Sequence, residues 1–362
     1  MNAFSKIVNQ ETFNKQDLIS MLNTVGDEQA LLYQKSRAVK DYYIGNTVHL
    51  RGLIEYSNVC IKDCLYCGIR KSNKNTQRYT LSDEDVFQCA LYALENNYGS
   101  IAIQAGERTD QLYISKITSL LKEIKKLSNG KLGITLSLGE QTLDTYKEWF
   151  DAGAHRYLLR IETSNRELYS KIHPNNRLHN FDKRIEALQN IRKVGFQLGT
   201  GVMIGLPHQT IENLADDLLF LKAMDVDMVG MGPYIEHQDT PLHEMNHLLK
   251  SRQERLDLTI KMIATLRILM KDINIVGATA LQAIDKMGRE KAIRYGANIL
   301  MPNITPGNFR KKYKLYEDKP CTDENSVDCN NCIDARMSLI GSRIGYNEWG
   351  DSRHFTNSKF NP

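Results

Sequence analysis

Residues 49–67 read His49-Leu-Arg-Gly-Leu-Ile-Glu-Tyr-Ser-Asn-Val-Cys60-Ile-Lys-Asp-Cys64-Leu-Tyr-Cys67, an apolar, β-rich run followed at once by three cysteines. Three thiolates this close together can ligate three irons of a 4Fe-4S cube, because cysteine sulfur is the soft ligand that such clusters require. The fourth iron is then open to another ligand. A structural zinc site is the alternative, but zinc sites normally present paired C-x2-C units with a fourth ligand nearby.

The composition is that of a large cytosolic globular protein. The chain has 362 residues, 41% of them hydrophobic, and its 47 basic residues nearly balance 43 acidic ones without a sustained basic block. We therefore expect a substantial core, a cytoplasmic location and no nucleic-acid partner. Met1–Leu18 has no apolar h-region and no long apolar run follows, so no membrane segment is expected. The cysteines fall mostly in two tight groups, which favours metal chemistry over disulfides.

Short β-like runs alternate with amphipathic helical stretches after a helical amino-terminal segment at Lys15–Val39. The predicted strands are Val48–Ser57, Ser100–Gln104, Gly133–Leu138, Arg156–Glu162, Gln197–Ile204, Met228–Tyr234, Ile273–Thr279 and Ala297–Pro302. The predicted helices between them are Asp83–Asn96, Gln111–Leu127, Leu143–Asp151, Asp182–Val194, Thr210–Ala223 and Leu256–Met270. This alternation predicts an α/β fold, a parallel (β/α)8 TIM-type barrel. A partial barrel of six βα units with extensions is the alternative.

No Pro/Gly/Ser-rich linker divides the chain, so we predict one catalytic domain. Residues 1–45 form an amino-terminal helical segment, residues 46–305 the barrel, and residues 306–362 a carboxy-terminal extension. Active sites of such barrels lie at the carboxyl ends of the strands, and the cysteine loop follows strand one.

The spacing Cys60-x3-Cys64-x2-Cys67 resembles the signature of the radical SAM superfamily, in which the open iron binds S-adenosylmethionine (SAM). This resemblance implies a SAM site at the barrel mouth. The candidate SAM-binding residues are Tyr66, Gln104, Gly106, Arg160, Glu162, Arg184 and Met203. Small residues at the end of strand two would admit the amino group of the methionine part of SAM. The glycine-flanked segment around Met203 is a candidate bed for the adenine.

Arg160 and Glu162 are predicted to share one face at the end of strand four. A buried carboxylate is costly unless it meets a cation or a ligand, so Glu162 is predicted to bind the ribose or ammonium group of SAM. Arg184, in the next helix, is a candidate clamp for the SAM carboxylate. The alternatives are an internal Arg160–Glu162 ion pair and a solvated Arg184.

Two further groups of side chains are candidates for binding. Hydroxyl groups in strands three and seven are predicted to hold a polar substrate: Thr135, Ser137 and Thr279. The second cysteine group is Cys321-x7-Cys329-x2-Cys332, after the last barrel strand. Three thiols in twelve residues suit a second iron-sulfur or zinc site, and three unliganded thiols are the alternative.

The chain carries longer motifs at Glu55–Arg70, Leu136–Glu140, Arg156–Arg160, Val202–Pro207, Asp216–Lys222, Asp227–Gly230 and Gly296–Asn303. Together they resemble the radical SAM maturase of FeFe-hydrogenase, the HydE type, from about residue 15 to the end. The spacing of Cys321, Cys329 and Cys332 matches the accessory iron-sulfur site of some members. One position departs from the family pattern, because Ile161 stands where members carry His.

The resemblance implies a barrel with a 4Fe-4S cluster on Cys60, Cys64 and Cys67 and an accessory 2Fe-2S or 4Fe-4S cluster. It implies reductive cleavage of SAM to methionine and a 5′-deoxyadenosyl radical. The implied substrate is a small molecule or an organometallic iron-cysteine-carbonyl-cyanide precursor of the hydrogenase's diiron subcluster. The implied partners are an electron donor of the ferredoxin or flavodoxin type and other hydrogenase maturation proteins.

Related functions must be weighed against this one. Biotin synthase would need cysteines inside the barrel, and the predicted strands have none. A methylornithine synthase-like mutase shares the barrel and many motifs, but it typically lacks the carboxy-terminal cysteines. A non-catalytic iron-sulfur scaffold or carrier would need cysteines but no SAM site.

Overall fold

Eight parallel strands form the centre of the molecule. The computed structural model describes the backbone of residues 3–321 and 326–360 and the side chains of residues 3–321 and 333–358. The strands are β1 Thr47–Ser57, β2 Ser100–Ala105, β3 Gly133–Ser137, β4 Arg156–Leu158, β5 Gln197–Thr200, β6 Met203–Ile204, β7 Met228–Pro233, β8 Asn274–Gly277, β9 Ile299–Leu300 and β10 Arg343–Ile344. In the described residues, β1 to β5 and β7 to β9 pair in parallel in chain order, and β9 pairs with β1. The predicted closed barrel is confirmed.

All eight predicted barrel strands are present with shifted ends, and strands four and five depart from the prediction in ways that shape the mouth. Strand four stops at Leu158, so the prediction that it reaches Glu162 is wrong. Glu162 has a positive φ of 68°, which an extended strand cannot contain, and it keeps only an isolated bridge to Val202. The predicted strand five divides into β5 and β6, and β6 pairs with β7 alone. Backbone at the barrel mouth therefore bends where the site begins.

Helices cover the outside of the barrel. They are α1 Ala3–Val8, α2 Lys15–Leu22, α3 Gly26–Tyr43, α4 Asp83–Glu95, α5 Gln111–Leu127, α6 Leu143–Asp151, α7 Arg166–Ile172, α8 Phe181–Val194, α9 Ile211–Ala223, α10 Arg252–Leu269, α11 Thr279–Ile284, α12 Gly288–Arg294, α13 Gly307–Arg310, α14 Ser326–Leu339 and α15 Arg353–Phe360. Two 3-10 helices span Arg177–His179 and Pro241–Leu248.

The predicted amino-terminal helix is two helices, because α2 ends at Leu22 and α3 begins at Gly26. Asn14 caps the start of α2 with its side chain and, together with Asp17, forms a capping box. Both helices pack on α10, which covers the barrel wall. The amino-terminal segment therefore adds a second layer outside the barrel.

The barrel interior has an apolar middle and a polar end at its amino-terminal face. Leu158, Met228, Val276 and Ile299, from four different strands, form one buried cluster. Because neighbouring strands meet at this level, the interior is a packed core and not an open channel.

The carboxy-terminal extension closes the amino-terminal face of the barrel. Strand β10 pairs with the start of β1, and the chain then crosses beneath the strands. The carbonyl of Trp349 accepts hydrogen bonds from Ser100 Oγ at 2.9 Å and from Arg156 Nη1 at 2.8 Å. The carbonyl of Gly350 accepts one from Asn274 at 2.9 Å. These contacts leave the carboxyl ends of the strands as the face available for chemistry. Among the helices that the structure describes, none has the length and apolar character needed to cross a bilayer.

Candidate active site

Cys60, Cys64 and Cys67 lie in the loop after β1, at the barrel mouth. Cys60, Cys64 and Cys67 are free thiols that are partly covered. Burial raises the pKa of Cys64 to about 12, and neighbouring Cys60 also contributes to this increase. Burial likewise raises the pKa of Cys67, with further contributions from Cys64 and Cys60. The thiols are therefore close enough to repel one another as thiolates, which is the situation that a bound cation resolves.

Backbone amides point at the first of these sulfurs. The N–H groups of Lys62 and Glu107 donate to Cys60 Sγ at 3.4 Å and 3.3 Å. Amide donors of this kind stabilise a metal-bound thiolate and tune iron-sulfur clusters. Three thiols on one loop, with backbone amides directed at the first sulfur, are a donor set whose chemistry fits a 4Fe-4S cluster that has one open iron.

Glycines let other segments press against the cysteine loop. A Cβ on Gly106 would lie 2.4 Å from Val59 O and 2.8 Å from Cys60 Cβ. A Cβ on Gly68 would lie 2.1 Å from Lys314 O, and the Gly68 N–H donates to Leu315 O at 2.9 Å. The loop is thus clamped between the end of β2 and the carboxy-terminal extension. A role of Gly106 in binding the amino group of SAM stays a prediction.

Four buried charged residues lie beside the loop. Lys62 Nζ is 3.2 Å from Glu107 Oε1 and 2.9 Å from Glu140 Oε2. Arg184 Nε is 2.5 Å from Glu140 Oε1. Although burial raises the pKa of Glu140, Arg184 and Lys62 hold it below its usual value. The alternative of a solvated Arg184 is wrong, because only 10% of its side chain is exposed.

Arg184 also connects this network to the predicted SAM carboxylate site. Its Nη1 donates to Arg160 O at 2.9 Å, so one guanidinium joins Glu140 to the loop that follows β4. The Glu140 carboxylate already occupies the ion-pairing position on Arg184. A clamp role for Arg184 toward SAM stays a prediction. Sequence reasoning missed Lys62, Glu107 and Glu140, although all three lie within or beside motifs that it singled out.

Arg160 and Glu162 lie together just beyond the end of β4. Arg160 Nη2 is 2.9 Å from Glu162 Oε2, and it also donates to Val202 O at 2.8 Å. The contact between Arg160 Nη2 and Glu162 Oε2 lacks hydrogen-bond geometry, which leaves Glu162 Oε2 buried without a hydrogen bond. Arg160 Nε is also buried without one. Burial raises the pKa of Glu162, although Arg160 and Arg184 lower it. A buried carboxylate with unused hydrogen-bonding capacity fits a ligand that carries hydroxyl groups and positive charge, as SAM does.

The predicted aromatic and thioether contacts are on one side of the mouth. Tyr66 packs against a small buried cluster whose members are Leu168, Ile172, Met203, Leu206, Tyr234 and Leu242. The Tyr66 hydroxyl is 3.3 Å from His173 Nε2. The Met203 N–H donates to Glu162 O at 2.9 Å, so the apolar cluster adjoins the carboxylate. An apolar wall next to a polar pocket suits an adenosine.

The first part of the carboxy-terminal extension, residues 313–319, covers the upper barrel, whereas its later part, around Trp349 and Gly350, closes the amino-terminal face. Gln104 Nε2 donates to Tyr313 OH at 3.2 Å. Lys319 Nζ forms an ion pair with buried Glu55 and donates to Tyr313 O at 2.8 Å. Asn303 Nδ2 donates to Glu55 Oε2 at 3.0 Å. Sequence reasoning missed Glu55, Tyr313 and Lys319, although the polar residue Glu55 within a strand that is buried along most of its length was an available signal.

The three predicted substrate residues are at different levels. Ser137 is half-buried at the end of β3, and Thr279 begins α11 instead of ending a strand. Thr135 is almost fully buried, and its hydroxyl accepts a hydrogen bond from Arg156 Nε at 3.1 Å. Arg156 lies at the amino-terminal face of the barrel, where it contacts Trp349. Thr135 therefore lies near that face, and the prediction that it is in the upper barrel is wrong.

The second cysteine group, Cys321, Cys329 and Cys332, lies in the carboxy-terminal extension, and only Cys321 has a described side chain. Cys321 is half-buried and has a positive φ of 62°. Cys329 and Cys332 belong to α14, and their side chains lie outside the described residues. An accessory metal centre on the three stays a prediction.

Comparison with known proteins agrees with this geometry. The model of the Radical SAM superfamily matches residues 54–221, which begin within β1 and include the cysteine loop. The chain is 42% identical over 330 residues to the [FeFe] hydrogenase maturase subunit HydE of Thermotoga maritima, covering 91% of this chain and 90% of that protein. It is 26% identical over 309 residues to 3-methylornithine synthase of Methanosarcina acetivorans, covering 84% and 83%.

A solved structure extends the comparison to the fold. The crystal structure of methylornithine synthase (PylB) superposes with a TM-score of 0.79 at 22% identity, covering 96% of this chain and 98% of that one. Radical SAM enzymes use a 4Fe-4S cluster and SAM, and the residues at this barrel mouth fit both groups.

Proposed function

Because the chain belongs to the family of the [FeFe] hydrogenase maturase subunit HydE, we propose that it is a radical SAM enzyme of [FeFe]-hydrogenase maturation. The observation that carries this proposal is the 42% identity across nearly the whole length of both proteins. Three converging thiols beside an incompletely hydrogen-bonded carboxylate support it at the level of the site.

We assign the cluster to Cys60, Cys64 and Cys67. When bound, the cluster and SAM supply one-electron cleavage of SAM to methionine and a 5′-deoxyadenosyl radical. The N–H groups of Lys62 and Glu107 hold the Cys60 sulfur in position. Cys321, Cys329 and Cys332 would hold an accessory iron-sulfur cluster in the carboxy-terminal extension.

The residues of the mouth bind and orient SAM. Glu162 accepts hydrogen bonds from the ribose hydroxyls or the ammonium group, and Arg160 remains its ion-pair partner. Tyr66 and Met203 provide the apolar side for the adenine. Arg184, held by Glu140, keeps the Arg160 backbone in position.

The end of β2 and the carboxy-terminal extension complete the chamber. In this proposal the end of β2 at Gln104 and Gly106 binds the amino group of the methionine part of SAM. Tyr313 and Lys319 cover the upper barrel, so water is excluded from the place where a reactive primary radical forms. Ser137 and Thr279 are left as substrate contacts for a small organometallic iron compound.

The proposal places the enzyme in the cytoplasm, where free thiols persist. Its partners would be an electron donor of the ferredoxin or flavodoxin type and the other maturation proteins of the hydrogenase. The family to which the chain belongs supports the link to maturation, and the individual partners are part of the proposal.

A two-stage experiment tests this function. Anaerobically reconstituted protein is first incubated with SAM and dithionite and scored for 5′-deoxyadenosine. The same protein is then added to a cell-free hydrogenase maturation mixture that lacks only a HydE protein, and H2 evolution is measured. We expect both signals from the wild type and neither from Cys64→Ala.

The outcomes separate the alternatives. Cleavage of SAM without hydrogenase activation contradicts the maturation role, and a lysine-dependent yield of 3-methylornithine would identify a mutase instead. Hydrogenase activation by a protein that cannot cleave SAM would identify a scaffold or carrier.

A further inference from the structure

The surface around the cysteine loop is basic, although the chain as a whole is almost balanced in charge. Residues 58–78 contain five basic side chains, Lys62, Arg70, Lys71, Lys74 and Arg78, and one acidic side chain, Asp63. Asp63 is neutralised by Arg70, whose Nε is 2.8 Å from its Oδ1. Lys71 and Lys74 are exposed and follow the third cysteine by only a few residues. Lys62 is buried against Glu107 and Glu140, and Arg78 donates to backbone carbonyls, so the outward positive charge of the loop comes from Lys71 and Lys74.

A second segment extends this surface. The ammonium group of Lys62 donates to the carbonyl of Leu178, and the Asp63 N–H donates to His179 Nε2 at 2.9 Å. These bonds fix the 3-10 helix Arg177–His179 against the cysteine loop. Arg177 is exposed, and Leu178 next to it is an exposed apolar side chain. We call Lys71, Lys74, Arg177 and Leu178 the basic rim.

The cations of the basic rim are Lys71, Lys74 and Arg177, and all three are exposed. Among the residues whose side chains the structure describes, no carboxylate forms an ion pair with Lys71, Lys74 or Arg177. By contrast, the nearby Lys314 pairs with Glu317 at 2.9 Å. Exposed cations of one sign around an apolar residue steer and hold an anionic protein surface.

We propose that the basic rim docks a small acidic protein that delivers one electron to the cluster held by the cysteine loop. The proposal rests on the proposed function, because reductive cleavage of SAM consumes one electron for each SAM cleaved. The carrier is oxidised by one electron, and that electron breaks one sulfur–carbon bond and releases one methionine. The rim flanks the loop that carries Cys60, Cys64 and Cys67. Interfaces between redox partners are small and transient, so a few exposed side chains are enough to form one.

The test compares two triple variants with a reduced flavodoxin of acidic surface as the probe. The rim variant is Lys71→Glu/Lys74→Glu/Arg177→Glu. The control variant is Lys122→Glu/Lys193→Glu/Lys222→Glu, which makes the same change of charge at exposed positions on α5, α8 and α9. We expect the rim variant to raise the KM for flavodoxin hydroquinone about tenfold at low salt and the control to leave it unchanged. Near 0.5 M salt the difference should shrink, because the Debye length then falls well below 10 Å.

Two measurements distinguish a failure of docking from a failure of SAM cleavage. The Kd for oxidised flavodoxin, measured by titration, reports docking without turnover and should rise in parallel with KM. Formation of 5′-deoxyadenosine with dithionite bypasses docking and should be equal in all three proteins. If the wild type makes no 5′-deoxyadenosine with dithionite yet binds flavodoxin, the proposed function fails and docking stands.

The docking proposal is overturned if Kd and KM are unchanged in the rim variant, or if the control variant changes them equally. It is also overturned if the wild type binds a single-stranded oligonucleotide more tightly than flavodoxin in the same buffer. The milder variant Lys71→Gln/Lys74→Gln/Arg177→Gln should give an intermediate increase, which guards against an effect of misfolding.

Discussion

Arg156 and Arg160 are four residues apart, yet they lie at opposite ends of the barrel. They differ in burial and in how completely their guanidinium groups are hydrogen-bonded. The side chain of Arg156 is fully buried and donates to Thr135, Ser100, the Trp349 carbonyl and the carboxylate of Asp351. Arg160 is one-third exposed, and its Nε and the Oε2 of its partner Glu162 make no hydrogen bond. At the closed end the chain satisfies the charge of Arg156, whereas at the mouth Arg160 and Glu162 leave hydrogen-bonding capacity unused. The difference identifies the mouth as the place for a ligand.

The largest effect is expected from the cysteines of the mouth. Replacement of Cys60, Cys64 or Cys67 by Ala should abolish the 4Fe-4S signal and SAM cleavage, because two thiolates cannot hold three irons. Iron content, the visible spectrum and yield of 5′-deoxyadenosine measure this loss. The fold should survive, as judged by circular dichroism. Wild-type turnover in any one variant would show that its cysteine is not a ligand.

The next effect concerns stability at the closed end. Arg156→Met should reduce the free energy of unfolding by about 3 kcal/mol, because it leaves Asp351 and three other polar groups without their buried partner. Denaturant unfolding measures the change, and the SAM affinity of the folded fraction should be close to wild type. Arg160→Met is the matched control and should lower stability by less than about 1 kcal/mol. Equal destabilisation by both variants would show that Arg156 and Arg160 contribute equally to stability, which would contradict the comparison between the two ends of the barrel.

A smaller effect is expected for ligand binding at the mouth. Glu162→Gln should weaken SAM binding about tenfold to a hundredfold, since a charged hydrogen bond is worth about 1.5–3 kcal/mol. Titration with SAM measures the affinity, and the cluster spectrum should not change. If Glu162 served only to pair with Arg160, the variant would instead melt at a lower temperature and bind SAM normally.

The smallest effect is a pH dependence at the closed end. His354 lies between Asp272 and Asp225, with ring nitrogens 3.1 Å and 2.8 Å from their Oδ1 atoms. The hydrogen bond to Asp272, together with Asp225, raises the pKa of His354 to about 9. A raised pKa gives stability that is fully present below the unfolded-state pKa of about 6.5 and is lost as the pH rises through 9.

His354→Gln should therefore be less stable than the wild type by about 1 kcal/mol at pH 6, and the two should converge above pH 9. Denaturant unfolding at several pH values measures the difference. A gap that persists at high pH would mean that His354 stabilises the protein by packing and not by charge.

Much of the barrel could be predicted from the sequence because strand and helix periodicities are local properties. Gln111–Leu127 and Leu143–Asp151 begin and end where the pattern predicts. The end of β4 could not be predicted, because the positive φ of Glu162 depends on the bridge to Val202 from another strand. Thr135 was assigned to the wrong level of the barrel because alternation gives the direction of a side chain and not its distance from the mouth.

The sequence by itself determined the parallel barrel and the family, and it predicted the cluster ligands, because thiol spacing and βα alternation are properties of short stretches of chain. Only the tertiary structure decided which buried charges meet. Arg184 was expected to clamp SAM, yet it pairs with Glu140, a residue 44 positions earlier, and Lys319 reaches Glu55 from the far end of the chain. The physical reason is that a buried charge takes the nearest partner in space, which depends on how the loops close over the mouth and not on the distance along the sequence.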